Sequence, residues 1–89
     1  MRDRLELETA LDSIRGAFKP LRCTVEDWDY RQKVRFRVFS PNDEPLLRVD
    51  EALASRVCDP EGLSFIVSEA RARLQSRGYT LEPWNPPSL

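Results

Sequence analysis

Lys33 to Asp50 constrains the fold of this chain more than any other stretch. Apolar and charged residues alternate through Lys33-Val34-Arg35-Phe36-Arg37-Val38-Phe39 and again through Leu46-Leu47-Arg48-Val49-Asp50. Successive side chains of a strand point to opposite faces, so this period of two predicts one oily face and one charged face. Between the two runs lies Ser40-Pro41-Asn42-Asp43-Glu44-Pro45, a turn bracketed by prolines. Val34, Phe36, Val38, Leu47 and Val49 form the inner face of the resulting ribbon. Arg35, Arg37 and Arg48 lie on the outer face, with Phe39 and Leu46 beside them.

Helical patterns flank the ribbon. Asp3 is positioned to cap a first helix, with Glu6 three residues later as in a capping box. Leu7, Leu11, Ile14 and Phe18 fall on one helical face, and Leu5 falls off it and is expected to be partly exposed. Gly16 weakens the last turn and Pro20 stops the helix. Leu21-Arg22-Cys23-Thr24-Val25-Glu26 reads as a strand. Asp59-Pro60-Glu61 is a second helix start, with a cap, a proline at the first helical position and an acid in the first turn. Leu63, Ile66, Val67, Ala70 and Leu74 make its buried stripe. Arg71, Arg73 and Arg77 suit the negative end of its dipole, and Gly78 suits a left-handed end. Glu51 to Val57 reads as a packed connection.

The predicted order is α-β-β-β-α. Short connections make the sheet a three-stranded antiparallel meander, and the two helices are expected on one of its faces. The fold class is α+β. Residues 1–84 form a single domain and residues 85–89 a flexible tail. At 89 residues the chain can bury one modest core, roughly 60–65% of its unfolded surface.

The hydrophobic pattern suggests a register. Cys23, Phe36 and Val49 stand side by side, with Leu21, Val38 and Leu47 in the next row. The outer face then carries Arg22, Arg37 and Arg48 in a line, and Arg35 faces Asp50. Like charges opposite each other are unfavourable by roughly 0.2–1 kcal/mol per pair. A bound anion, a carboxylate partner or solvent must offset that. Glu26, Asp50 and Glu51 lie near one end of the row. The candidate binding surface is Arg22, Arg35, Arg37, Phe39 and Arg48. Arginine beside an aromatic suits a protein interface, and it also suits a phosphate or nucleic-acid ligand.

Composition narrows the chemistry. The 14 basic and 15 acidic residues nearly cancel, so the net charge of -1 gives no whole-molecule attraction to nucleic acid or anionic membrane. Histidine is absent, which removes the usual neutral-pH acid and base and every histidine-containing triad. Cys23 and Cys58 lack metal-ligand spacing, so no metal, cofactor or catalytic residue is expected. Cys23 reads as a small core residue. Cys58 precedes a helix start, but Asp59 and Glu61 beside it oppose a thiolate. The same acids, with Pro60 lacking an N–H, argue against phosphate at Asp59-Pro60-Glu61-Gly62. No apolar run reaches membrane-spanning length, and the chain is expected to be cytoplasmic with reduced thiols.

Aromatic residues leave alternatives open. Phe65 points away from the buried stripe, toward either the Glu51–Val57 segment or a partner. Trp28, Tyr30, Tyr79 and Trp84 either cover an edge of the core or, in the last segment, dock elsewhere.

The element order matches that of the double-stranded RNA-binding domain, whose second helix opens with a lysine-rich motif. Here that position is the acidic Asp59-Pro60-Glu61-Gly62, so the RNA function does not carry over. The segment Phe18-Lys19-Pro20-Leu21-Arg22-Cys23, the run Val34 to Pro41 and the helix Ile66 to Leu74 together resemble the bacterial domain of unknown function 1652 family. The resemblance covers about residues 7–75. It implies no activity and no functional residues. The reading that remains is a non-enzymatic protein-interaction or regulatory module that uses the open sheet face, with an unknown protein as partner or a second copy joined through that face or an edge strand. Nucleic-acid or phosphate-ligand binding through the arginines is the alternative.

Overall fold

The computed structural model describes residues 4–87. Helix α1 (Leu7–Gly16) is followed by strands β1 (Arg22–Trp28), β2 (Lys33–Phe39) and β3 (Pro45–Leu53). A single-turn helix α2 (Ala54–Val57) and the long helix α3 (Pro60–Ser76) complete the order. The architecture is α+β, with an open antiparallel sheet in the order β1-β2-β3. One hydrophobic cluster joins Leu11 and Ile14 of α1, Val34, Phe36 and Val38 of β2, and Leu63, Val67 and Leu74 of α3. Both long helices thus share the inner side of the sheet. Arg37, on the other side of β2, is exposed.

Helix α1 begins later than the capping pattern suggests. Glu6, not Asp3, occupies the cap position, with extended backbone and no side-chain cap bond. Asp3 lies outside the described residues. Tertiary pairing sets this start: the Leu5 N–H donates to the Cys58 carbonyl at 2.8 Å. Leu5 is consequently buried, at 6% exposure, where the helical stripe implied a partly exposed side chain. The helix stops at Gly16, and Phe18 enters the core from the following turn, stacked on Phe36 with ring centroids 5.7 Å apart.

The second helix start is as the sequence implies. Asp59 caps α3 by accepting from the Gly62 N–H at 3.0 Å, and Pro60 opens the helix. Gly78 lies just beyond the end with φ +97°. The arginines near that end do more than face the dipole. Arg71 donates to the Ala17 carbonyl at the end of α1 (2.5 Å), and Arg77 to the Leu46 carbonyl of β3 (2.7 Å). They tie α3 to both neighbours.

The expected connection from Glu51 to Val57 is instead strand and helix. β3 continues through Leu53, and α2 buries Val57 completely. After α3 the chain folds back along α1. The Glu82 N–H donates to the Lys19 carbonyl, the Trp84 indole donates to the Ser13 carbonyl, and Leu81 is buried. Ser88 and Leu89 of the expected tail lie outside the described residues.

The β1–β2 turn is strained. Asp29, Tyr30 and Arg31 all have left-handed backbone, with φ 57°, 57° and 64°. Each costs roughly 1–2 kcal/mol for a residue with a Cβ. Ion pairs from Arg31 to Glu8 (2.6 Å) and to Asp27 (3.3 Å) hold the turn to α1 and to β1. Tyr30 projects from it at 94% exposure, so it covers no part of the core.

Candidate functional site

Register decides what the arginines do. β2 pairs with β3 as expected: Phe36 with Val49, Arg37 with Arg48, and Val38 with Leu47. β1 is displaced by two residues from the expected alignment. Cys23 lies beside Val38 and Val25 beside Phe36, so Thr24, not Arg22, is opposite Arg37. A two-residue slip leaves the oily face inside, which is why periodicity does not detect it. Turn length does: β1 extends to Trp28, leaving only four residues before β2.

The line Arg22–Arg37–Arg48 is therefore broken. Arg22 sits at one end of the face, opposite Phe39, with its guanidinium carbon 4.2 Å from the Phe39 ring centre. It also pairs with Asp43 at 3.0 Å. Arg48 pairs with Asp50 along its own strand at 3.1 Å. Arg35 takes Glu26 on β1 at 2.9 Å, not Asp50. Its Nε–H is not aimed at the carboxylate, so this is an ion pair without a hydrogen bond. Arg35 also lies over Trp28, 5.0 Å from the ring centre, and Lys33 lies over the same ring at 4.8 Å. Lys33 approaches Glu51 at 3.7 Å. Among the described residues Arg37 has no ion pair.

Carboxylates thus answer most of the outer face. Exposed pairs of this kind contribute little to stability, roughly 0–1 kcal/mol each, but they occupy the groups a phosphate would need. Leu46 also departs from the outward position expected of it. β3 carries an extra residue opposite Val38–Phe39, and Leu46 packs against the core.

A different surface is less complete. β3 is an edge strand, and α3 runs beside it without filling the space between them. Two open cavities of about 490 and 430 Å³ line this seam, and both are bounded by residues of β3 and α3. Leu53 and Phe65 stand at one end of it, exposed by 55% and 56%. Arg56 lies 5.9 Å from the Phe65 ring centre and only partly shields it. Periodicity identified Phe65 as off the buried stripe. The seam itself has no sequence signal, because it arises from the angle between a helix and a strand.

The thiols are held protonated. Burial pushes Cys23 up to about 12, against a lowering influence of Arg15. Burial also raises Cys58, against a lowering influence of Arg4. Both are expected to react with iodoacetamide at pH 7 more slowly in the folded chain than in the urea-unfolded one. Equal rates would show that burial does not control them. As pH rises above 9.0, an unfolded Cys23 loses its proton while the folded one keeps it. Stability is therefore present below that pH and falls between 9.0 and about 12. Among the described residues no group of three or more His, Cys, Asp or Glu side chains is placed to hold a metal ion. No described helix is long and apolar enough to cross a membrane.

Comparison with protein-family models, with curated proteins and with solved structures finds no match to this chain.

Proposed function

We propose that this chain is a non-enzymatic protein-interaction module that accepts an extended strand of its partner on the free edge of β3. One observation carries the reading: the edge strand adjoins an unfilled seam with exposed Leu53 and Phe65 at its end. Strand addition supplies main-chain hydrogen bonds to the edge, and alternate side chains enter the adjoining pocket. A partner segment of mixed charge and apolar character suits it, since the seam presents Arg56 and Arg73 as well as Asp50 and Glu69. The outer sheet face is a poorer candidate, because Arg22, Arg35 and Arg48 already have carboxylates. Phosphate or nucleic-acid binding there would have to displace them, leaving Arg37 as its first contact.

A photo-crosslinking residue placed at position 65, and separately at position 37, distinguishes the two surfaces in cells. A protein adduct from position 65 and none from position 37 is the expected result. An adduct from position 37 alone would move the interface to the sheet face. Adducts from neither would remove the interaction reading.

A further inference from the structure

We infer that the strand added to β3 is β3 of a second copy, paired antiparallel about a two-fold axis passing near Val49. This rests on the strand-acceptor reading above and names its occupant. Charge carries the argument. The exposed residues of β3 reverse sign about Val49, with Arg48 on one side and Asp50 and Glu51 on the other. An antiparallel pair centred there sets Arg48 of each copy across from Asp50 of the other, twice by symmetry, so the Arg48–Asp50 pair that each strand makes by itself extends across the axis into a four-charge cluster. A parallel pair in register would set like charges side by side.

The flanking helix agrees. Cavity walls place Leu53 near Arg56 and Phe65, and Leu46 near Arg73 and Arg77, so α3 runs antiparallel to β3. The same two-fold axis carries the exposed Phe65 of each copy toward the arginine-rich end of the other's α3. An aromatic face meeting a guanidinium is a favourable contact. Features that discourage edge pairing lie at two places: Pro45 and the extra residue opposite Val38–Phe39 at the start of β3, and the extra residue opposite Val34–Phe36, which falls at Asp50–Glu51 beside the axis. They limit the registers open to a second strand.

Size permits the assembly. Specific interfaces bury roughly 600–1,000 Å² on each partner. A nine-residue strand is about 30 Å long, and an edge plus one helix is about 20 Å deep, which gives about 600 Å². That is close to a tenth of the chain's 5751 Å² surface.

The test is a charge exchange read by light scattering across a concentration series. The natural chain is expected to run at twice its 10.4 kDa mass. Arg48→Glu alone, and the double variant Asp50→Arg with Glu51→Arg alone, each place like charges across the axis. Each is expected to self-associate about tenfold or more weakly. An equimolar mixture of the two restores both sets of opposite charges and is expected to recover the dimer, which also shows that both variants are folded. A natural chain that stays monomeric at every concentration overturns the second-copy assignment, as does a dimer indifferent to the variants. Position 65 then decides the broader reading separately: an adduct to a different protein keeps the strand-acceptor surface and changes its occupant.

Discussion

Gly62→Ala is expected to destabilise the fold by about 2–3 kcal/mol, a cost of the size found for overpacking against a rigid neighbour. Helix propensity alone argues the opposite. Alanine is favoured over glycine by roughly 1 kcal/mol within a helix, and Gly62 lies in the first turn of α3. The structure reverses the sign. A Cβ on Gly62 would lie 2.3 Å from the Arg56 carbonyl oxygen, which is backbone and cannot rotate aside. The absent side chain is what lets α2 approach the start of α3. Gly16, in the last turn of α1, is the matched control, because a Cβ there meets nothing within 4 Å. Gly16→Ala is expected to be neutral or to stabilise by up to about 1 kcal/mol. Urea unfolding midpoints measure both. A Gly62→Ala chain as stable as the natural one would show that α2 and α3 do not meet at this point.

Phe36→Ala is expected to cost about 3–5 kcal/mol, the range for emptying a buried aromatic site. Phe36 is 1% exposed at the centre of β2. Its ring stacks on Phe18, which reaches the core from a turn, not from a helix. Loss of the ring therefore leaves Phe18 without its neighbour and a cavity where both helices meet the sheet. An 89-residue domain has roughly 4–13 kcal/mol of total stability, so this one change removes a large share. Equilibrium urea unfolding monitored by far-ultraviolet circular dichroism is the measurement. A loss below 1 kcal/mol would mean that Phe36 is not packed as described.

The alternation in Lys33–Phe39 predicts β2 to the residue, and Asp59-Pro60 marks the start of α3. Both signals are local: a strand's two faces and a helix's unsatisfied N–H groups are properties of a few adjacent residues. The arginine row failed for the complementary reason. Its placement needed the offset between β1 and β2, and a slip of two residues conserves every inward side chain. Leu5 failed because its burial comes from a bond to Cys58, more than fifty residues away. The seam beside β3 is not legible in the sequence, since nothing in the spacing of either element sets the angle between them.

By itself, then, the sequence determined the α+β class, the order of the main elements, the inner face of each and the lack of any histidine-based chemistry. These follow from period, capping and composition, which are short-range quantities. Only the tertiary structure decided which carboxylate answers each arginine, that Gly62 is a packing requirement and not a helix defect, and that β3 and α3 leave a space between them. Those depend on distances between residues remote in the chain, and such distances are settled when the separate faces pack together.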